Sequence, residues 1–218
     1  MSDTVSASTI FALSSGAPPA AIAIIRVSGP EAGAALSALA GALPEPRRAR
    51  YRVLRDREGA VLDQALVLWF PGPATATGED LAEFHLHGGR AVVTAVEAEL
   101  AQLPKLRRAT PGEFTRRAFA NGRIDLAEAE GLADLLSAET ELQRRSALAM
   151  AGGAFSRQVE QWRDRVLRAS ASVEAVLDFG DEDDVADLPA DFIAQLADLR
   201  GELSAWLDRP RCLLYTSD

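Results

Sequence analysis

The first half of the chain alternates short apolar runs with segments whose apolar residues recur at helical spacing. The runs have strand length and are bounded by Gly, Pro and Asp. The predicted strands are residues 21–29, 51–56, 60–70, 81–86 and 106–110, and the predicted helices are residues 30–40, 88–103 and one that begins at 110. The order is strand, helix, two or three strands, helix, strand, helix, which predicts an α+β domain with a mixed β-sheet.

Three pairs of residues have the spacing of a helix N-cap and its third helical position. The pairs are Ser28 with Glu31, Thr110 with Glu113, and Asp125 with Glu128. Pro30 and Pro111 would each lie in the first turn, where a missing N–H costs nothing. We therefore predict that a helix begins at each of the three sites.

Beyond residue 123 the apolar residues follow alternating steps of four and three, which gives each helix one apolar seam. The seams are Phe155, Val159, Trp162, Val166, Ala169, Val173 and Val176, and then Phe192, Leu196, Leu199, Leu203 and Trp206. The pattern predicts part of a helical bundle, which Gly152 and Gly153 would kink. The acidic segment 178–185 lacks the spacing of a calcium loop, so we predict a solvated connection.

Composition limits the class of protein. The chain has 218 residues, of which 48% are hydrophobic, and contains no apolar run long enough to span a membrane. Its N-terminus has no basic segment before an apolar one, so we predict no signal peptide. Cys212 is the only cysteine, which excludes an internal disulfide framework and favours a cytoplasmic protein.

Charge divides the chain into two regions. Up to Arg123 there are 14 basic and 12 acidic residues, a net charge of +2, whereas the remainder has 9 basic and 20 acidic residues, a net charge of −11. Two regions of different character therefore meet near residue 120. We predict an N-terminal domain over residues 1–118, a helical domain over 119–208 and an atypical tail, a candidate for non-native sequence, over 209–218.

Both histidines lie in the segment "EFHLH". On a β-strand Glu83, His85 and His87 would share one face. Three interpretations remain open: a metal site, a polar face without a ligand, and a site for a polar organic ligand held by Glu83. A zinc site would need a further strong ligand. Gly88 and Gly89 precede a helix, where backbone N–H groups bind oxygen atoms or anions.

Two further arginines are candidates for the same site. Arg26 lies near the end of an apolar strand, where a charge needs a partner, so it is either a structural ion-pair partner or a ligand clamp. Arg123 lies between a turn and a helix start, which could direct it into the same cleft. The basic segment 47–57 contains one aromatic residue, and it is either a phosphate contact or a solvated strand face.

Several long motifs occur in a fixed order: "AIIRVSGP", "LDQALVLWFPGPATATGEDLAEFHLHGG", "RATPGEFTRRAFANGRIDLAEAEGLADLLSAET" and "SALAMAGGAFS". Together they resemble the bacterial tRNA modification GTPases of the MnmE family, also called TrmE. The resemblance extends from about Thr4 to Trp206. It implies a dimerising tetrahydrofolate-binding domain, related in fold to the folate-binding domain of glycine-cleavage T-proteins, and then a helical domain that carries an inserted GTPase domain.

The resemblance also implies a function. MnmE proteins act with the flavoprotein MnmG (GidA) on the wobble uridine of tRNA, where they form a carboxymethylaminomethyl group at carbon 5. The proposed one-carbon donor is 5-formyl- or methylene-tetrahydrofolate, and the GTPase domain binds GTP, Mg²⁺ and K⁺. The expected partners are therefore a second copy of the chain, MnmG and tRNA. We expect no binding to a membrane.

Family motifs assign three folate contacts, which match Arg26, Glu83 and Arg123 here. Arginine stands where lysine is common at the third position, so the charge is kept and its geometry changes. A pterin presents an amino group and a ring N–H side by side, and a carboxylate accepts both. The resemblance thus favours a folate over a metal, with His85 as a neighbour and His87 shaping the turn into the helix.

The sequence also departs from the family. It contains no G-x-x-x-x-G-K-[ST] motif, so we expect no GTP hydrolysis by this chain alone. The segment "RPRCLLYTSD" does not resemble the family. Two alternatives keep the fold but change the function: a folate-dependent aminomethyltransferase, and a dimerising scaffold without a ligand.

Overall fold

The computed structural model describes residues 8–179 and 188–208. The strands are β1 (Thr9–Leu13), β2 (Ile22–Ser28), β3 (Arg50–Arg55), β4 (Val61–Phe70), β5 (Leu81–His87) and β6 (Leu106–Arg108). The helices are α1 (Ala32–Ala40), α2 (Arg90–Ala101), α3 (Glu113–Ala120), α4 (Leu126–Ser137), α5 (Glu141–Ala151), α6 (Ala154–Phe179) and α7 (Phe192–Leu207). A mixed sheet followed by helices confirms the predicted fold class.

The chain divides within α4 into two compact units, residues 1–129 and 130–218. We call them the first and the second unit. The boundary predicted between residues 118 and 119 lies inside α3. The first unit continues past that helix because the turn after α3 packs against the loop between β4 and β5, as described below.

The first unit contains a six-stranded sheet in the order β3-β4-β5-β2-β1-β6. Only β1 and β6 pair in parallel; the other neighbours are antiparallel. Alternate side chains of β2, β4 and β5 meet α1 and α2 in one apolar core that includes Ile25, Val67 and Phe84. The opposite side of these strands, which we call the open face, carries Glu83 and neighbouring apolar residues such as Leu66, which is 47% exposed.

No pattern in the sequence predicted β1. This strand of five residues, "TIFAL", pairs with β2 on one side and with β6 on the other. Ile10 and Phe11 are both fully buried. A strand buried on both faces shows no alternation of polar and apolar residues, and this one is too short to stand out by length.

The predicted start of the first helix is wrong. Ser28 ends β2, and its hydroxyl lies 2.7 Å from a carboxylate oxygen of Glu79 instead of capping a helix. The backbone N–H of Glu31 donates to the hydroxyl of Thr9 at 2.8 Å, and α1 begins only at Ala32. A hydroxyl on a neighbouring strand therefore replaces the predicted local cap.

The other two predicted starts have different outcomes. Gly112, in the left-handed conformation with φ of 75°, precedes α3, which therefore begins at Glu113 and not at the predicted position. The Glu113 carboxylate still accepts the backbone N–H of Thr110 at 2.9 Å. Asp125 and Glu128 form the predicted reciprocal pair, because each carboxylate accepts the other residue's N–H, at 2.8 and 2.9 Å.

The second unit is helical where it is described. Residues Gly152 and Gly153 separate α5 from α6, so the predicted kink is a break between two helices. The two predicted seams meet in part: the Trp206 ring lies 5.3 Å from that of Trp162 and 6.0 Å from that of Phe155. Other seam residues stay exposed, among them Val166 at 51%.

Among the described helices, none is both long and apolar enough to cross a membrane. The predicted tail, residues 209–218 with Cys212, lies outside the described residues. The same is true of residues 180–185, which make up most of the predicted acidic connection.

Candidate functional site

Arg26 and Glu83 lie directly opposite each other on β2 and β5, on the open face. The guanidinium of Arg26 donates twice to Oε1 of Glu83, from Nε at 3.0 Å and from Nη2 at 2.8 Å. A charge on a half-buried strand needs a partner, and each side chain supplies one to the other. Arg26 is therefore an ion-pair partner in this structure.

The Glu83 carboxylate is held in its ionised form. Burial on its own would raise the pKa of this group, but hydrogen bonds from His85 and Arg26 and the charge of Arg26 together outweigh that effect and lower it. The Nε2 atom of His85 lies 3.1 Å from Oε2 of Glu83. Glu83 thus presents a charged hydrogen-bond acceptor on the open face, with a side chain that is 15% exposed.

The turn after α3 positions Arg123. The N–H of Arg123 donates to the Ala118 carbonyl at 2.8 Å, and the N–H of Gly122 to that of Phe119 at 3.0 Å. This pair of hydrogen bonds, with Gly122 at φ of 64°, is a Schellman motif that ends the helix. The sequence "ANGR" is its local signal, because glycine adopts the left-handed conformation without strain.

The loop between β4 and β5 holds this turn from the other side. The side-chain amide of Asn121 donates to the Thr77 carbonyl at 2.7 Å. A Cβ atom added to Gly78 would come within 3.0 Å of Asn121 and 3.2 Å of Arg123. The close approach of the two segments brings Arg123 to the same cleft as the strand residues Arg26 and Glu83.

A cleft of about 370 Å³ contains all three predicted residues. It is lined by Arg26, Arg47, Phe70, Ala74, Thr75, Ala76, Leu81, Glu83 and Arg123. We call it the Arg26 cleft. Its lining has three guanidinium groups and one carboxylate, and that carboxylate pairs with Arg26. In residues 8–179 and 188–208, neither Arg47 nor Arg123 forms an ion pair with a carboxylate.

The remaining candidates lie at the other end of β5. His87 Nδ1 lies 2.7 Å from the Asp63 carboxylate, and its backbone N–H also donates to Asp63, at 2.8 Å. A Cβ atom on Gly88 would meet the carbonyl oxygen of Ala20 at 2.3 Å, and Gly89 is the N-cap of α2. These three residues shape the strand-to-helix turn and are not part of the lining of the Arg26 cleft.

One interpretation of this strand face was a metal site. Throughout the described part of the chain, no three His, Cys, Asp or Glu side chains are grouped as metal ligands. The open face offers one carboxylate and one imidazole, and the guanidinium of Arg26 lies against that carboxylate. A cation would meet this positive charge, so the donor set suits an organic ligand with N–H groups better than a metal ion.

A buried ion network next to the cleft was not predicted from the sequence. Arg117 on α3 is 1% exposed; its Nη1 lies 3.1 Å from both carboxylate oxygens of Glu79, and its Nη2 lies 3.2 Å from Glu113. Arg107 also donates to Glu113, at 2.8 Å. The spacing of Glu113 and Arg117, four residues apart on a helix, was a readable signal for one of these pairs.

Two family models match the chain. The first, described as "GTP-binding protein TrmE N-terminus", matches residues 9–123, and the second, "MnmE helical domain", matches residues 126–212. The chain belongs to the MnmE (TrmE) family. Arg26 and Glu83 lie within the first MnmE match, and Arg123 is its last residue.

Similar proteins carry the same family name. A tRNA modification GTPase MnmE of Novosphingobium aromaticivorans is 68% identical, in an alignment that covers 93% of this chain and 49% of that protein. The MnmE of Erythrobacter litoralis is 64% identical, with 93% and 48% covered. This chain therefore spans about half the length of the MnmE relatives it matches.

Proposed function

We propose that the first unit binds a reduced folate, 5-formyl- or methylene-tetrahydrofolate, in the Arg26 cleft and without a metal. The observation that carries this proposal is the ionised Glu83 carboxylate in a cleft whose other charged groups are all guanidinium groups. A folate has the matching chemistry: a pterin ring with neighbouring N–H donors at one end and carboxylates at the other.

The contacts of Glu83 indicate how a pterin would bind. A carboxylate has about four acceptor positions. Arg26 donates twice and His85 contacts the other oxygen, so about one position is left. A ring that presents two adjacent donors would therefore replace one existing contact. We propose that the His85 contact, the longest of the three at 3.1 Å, is the one replaced.

For the whole protein, the names of the relatives support a role in tRNA modification. We propose that this chain serves that reaction as its folate-binding part and acts with the flavoprotein MnmG (GidA) on the wobble uridine. Bound reduced folate would supply the one-carbon unit. The 218 residues contain no phosphate-binding loop. We therefore propose that the binding site for GTP, Mg²⁺ and K⁺ in this family lies in a part that these residues do not include.

We further propose that the first unit forms a homodimer through the open face. Tyr51 and Leu66 are paired on this face and are 57% and 47% exposed. Large contiguous apolar patches mark interaction surfaces, and we propose that these two side chains belong to one. Sedimentation velocity should show a dimer for the wild-type chain and a monomer for Leu66→Arg; an equally stable dimer of the variant would contradict the choice of this face.

Calorimetric titration with 5-formyltetrahydrofolate tests the proposed site. Glu83→Ala would leave two pterin donors without an acceptor in a shielded cleft, so binding should weaken by about 1.5–3 kcal/mol, roughly ten- to a hundredfold. Glu83→Gln should also bind poorly, because its amide has one acceptor atom and places an NH₂ group against a donor. The titrations should be unchanged by EDTA.

A matched control is Glu45→Ala, which removes the same charge from an exposed residue that, among the described residues, pairs with Arg48 and Arg50 and does not line the cleft. Circular dichroism would establish that each variant is folded. Equal affinity of the wild type and Glu83→Ala would refute the assignment of Glu83. Loss of binding in EDTA would favour a metal site, and no binding by the wild type would favour a scaffold without a ligand.

A further inference from the structure

Arg47 occupies a costly backbone position at the rim of the Arg26 cleft. Its φ is 62°, in the left-handed region that residues with a Cβ atom rarely adopt. Its backbone N–H donates to the Trp69 carbonyl at 2.8 Å, which fixes the residue beside the end of β4. Residues in such strained conformations cluster at active sites and ligand clamps, which points to a functional role for the Arg47 guanidinium.

The guanidinium of Arg47 lies against the cleft wall. Its central carbon is 5.8 Å from the centre of the Phe70 ring, and one Nη atom donates to the Ala74 carbonyl. Phe70 and Ala74 both line the cleft. An arginine has five N–H donors. The contact with Phe70 is made over the face of the aromatic ring and the hydrogen bond to Ala74 by one Nη atom, so other N–H donors remain for a ligand.

The neighbouring arginines show that Arg47 differs from an ordinary surface charge. Arg48 and Arg50 both pair with the Glu45 carboxylate, at 3.1 and 3.5 Å. Within the described residues Arg47 has no carboxylate partner, although Glu45 is only two positions away in the sequence. Its side chain is directed to the cleft lining instead of to this nearby acid.

We infer that Arg47 binds the carboxylates of the ligand's glutamyl tail and thereby selects folates over pterins without that tail. This inference rests on the proposed folate site. Glu83, at 15% side-chain exposure, lies on the sheet that forms the cleft floor, whereas Arg47 is exposed on a loop. A pterin ring held by Glu83 would therefore direct its tail outward, toward a guanidinium whose fork matches a carboxylate.

Two ligands separate a tail contact from a ring contact. One is 5-formyltetrahydrofolate, and the other is 5-formyltetrahydropteroate, which has the same ring and aminobenzoyl group but no glutamyl group. Both would be titrated calorimetrically into the 218-residue wild type, Arg47→Ala and Arg48→Ala. The last variant is the matched control, because it removes an adjacent arginine that does not line the cleft.

Arg47→Ala should weaken binding of the glutamyl ligand about three- to tenfold, the range for a partly exposed charge-assisted contact, and leave the affinity for the pteroate within about twofold. Arg48→Ala should change neither. Equal weakening of both ligands by Arg47→Ala, or no weakening of either, would overturn the inference while leaving the folate site intact. A wild type that binds neither ligand would overturn the proposed folate site and this inference with it.

Discussion

Replacement of Arg117 by alanine should strongly destabilise the first unit, because this side chain is the cation between two acidic groups. It is 1% exposed and lies 3.1 Å from both oxygens of Glu79 and 3.2 Å from Glu113. Removal of one partner from a buried ion pair typically costs about 3–5 kcal/mol, since the other charge is left without compensation.

Two features of the structure reduce that figure. The Nε atom of Arg117 is buried without a hydrogen-bond partner, and its removal relieves about 1–3 kcal/mol. Glu113 also keeps Arg107 and the N–H of Thr110 as donors. We therefore expect a loss of about 1–3 kcal/mol, out of the 5–15 kcal/mol that stabilises a typical domain.

Urea unfolding would measure this loss. Trp69 is the only tryptophan of the first unit, so its fluorescence reports that unit in a Trp162→Phe/Trp206→Phe background. The matched control is Arg116→Ala on the same helix, since Arg116 is 62% exposed and 3.9 Å from Glu113. An exposed pair of this kind contributes less than about 1 kcal/mol.

The pH dependence gives a second readout of the same charge network. Hydrogen bonds from Arg107, and then from Thr110 and Arg117, hold the pKa of Glu113 well below its ordinary value of 4.5 despite burial. A lowered pKa means that the stabilisation is present above about pH 4.5 and is lost as the pH falls through the folded-state pKa. In Arg117→Ala the Glu113 carboxylate loses one donor and protonates at a higher pH than in the wild type, so the difference between the two proteins should shrink as the pH falls below about 4.5.

Two results would refute this reasoning. The first is a loss in Arg117→Ala no larger than that in Arg116→Ala at neutral pH. The second is a loss that stays constant down to about pH 3.5, because an effect of packing alone does not depend on protonation.

The remaining predictions concern other parts of the chain. The purified chain should release no phosphate from GTP. Phosphate release that EDTA abolishes would show that these residues bind the nucleotide, contrary to our assignment. In a dilute sample, hydrogen exchange should be faster in α4–α7 than in the sheet, because the helical seams are partly exposed; equal protection would contradict this. Gly88→Ala should lower the free energy of unfolding by about 1–3 kcal/mol and Gly89→Ala by less, because of the two only a Cβ at Gly88 meets a backbone carbonyl, at 2.3 Å. Equal losses in the two variants would refute this prediction.

Most of the candidate site was accessible from the sequence, but part of its surroundings was not. Strand periodicity placed Glu83 and His85 on one face, and Arg123 was placed between a turn and a helix start, as the structure has it. Periodicity says nothing about which residues line the far wall, so Arg47 and the loop residues near Ala74 were not assigned to the cleft. They reach it through a backbone contact between residues that are distant in sequence, Arg47 with Trp69.

The sequence by itself determined the features that depend on neighbours within a few residues. These are the α+β class, the reciprocal cap of Asp125 and Glu128, and an interruption of the helix at Gly152, which was predicted as a kink and is a break; all of them follow from local hydrogen bonding and periodicity. Tertiary structure alone decided the strand register that sets Arg26 opposite Glu83, 57 residues away, and the pairing of β1 with β6. It also replaced the predicted cap at Ser28 by a contact with Glu79. Such contacts depend on how the sheet and helices pack, and no local pattern specifies that packing.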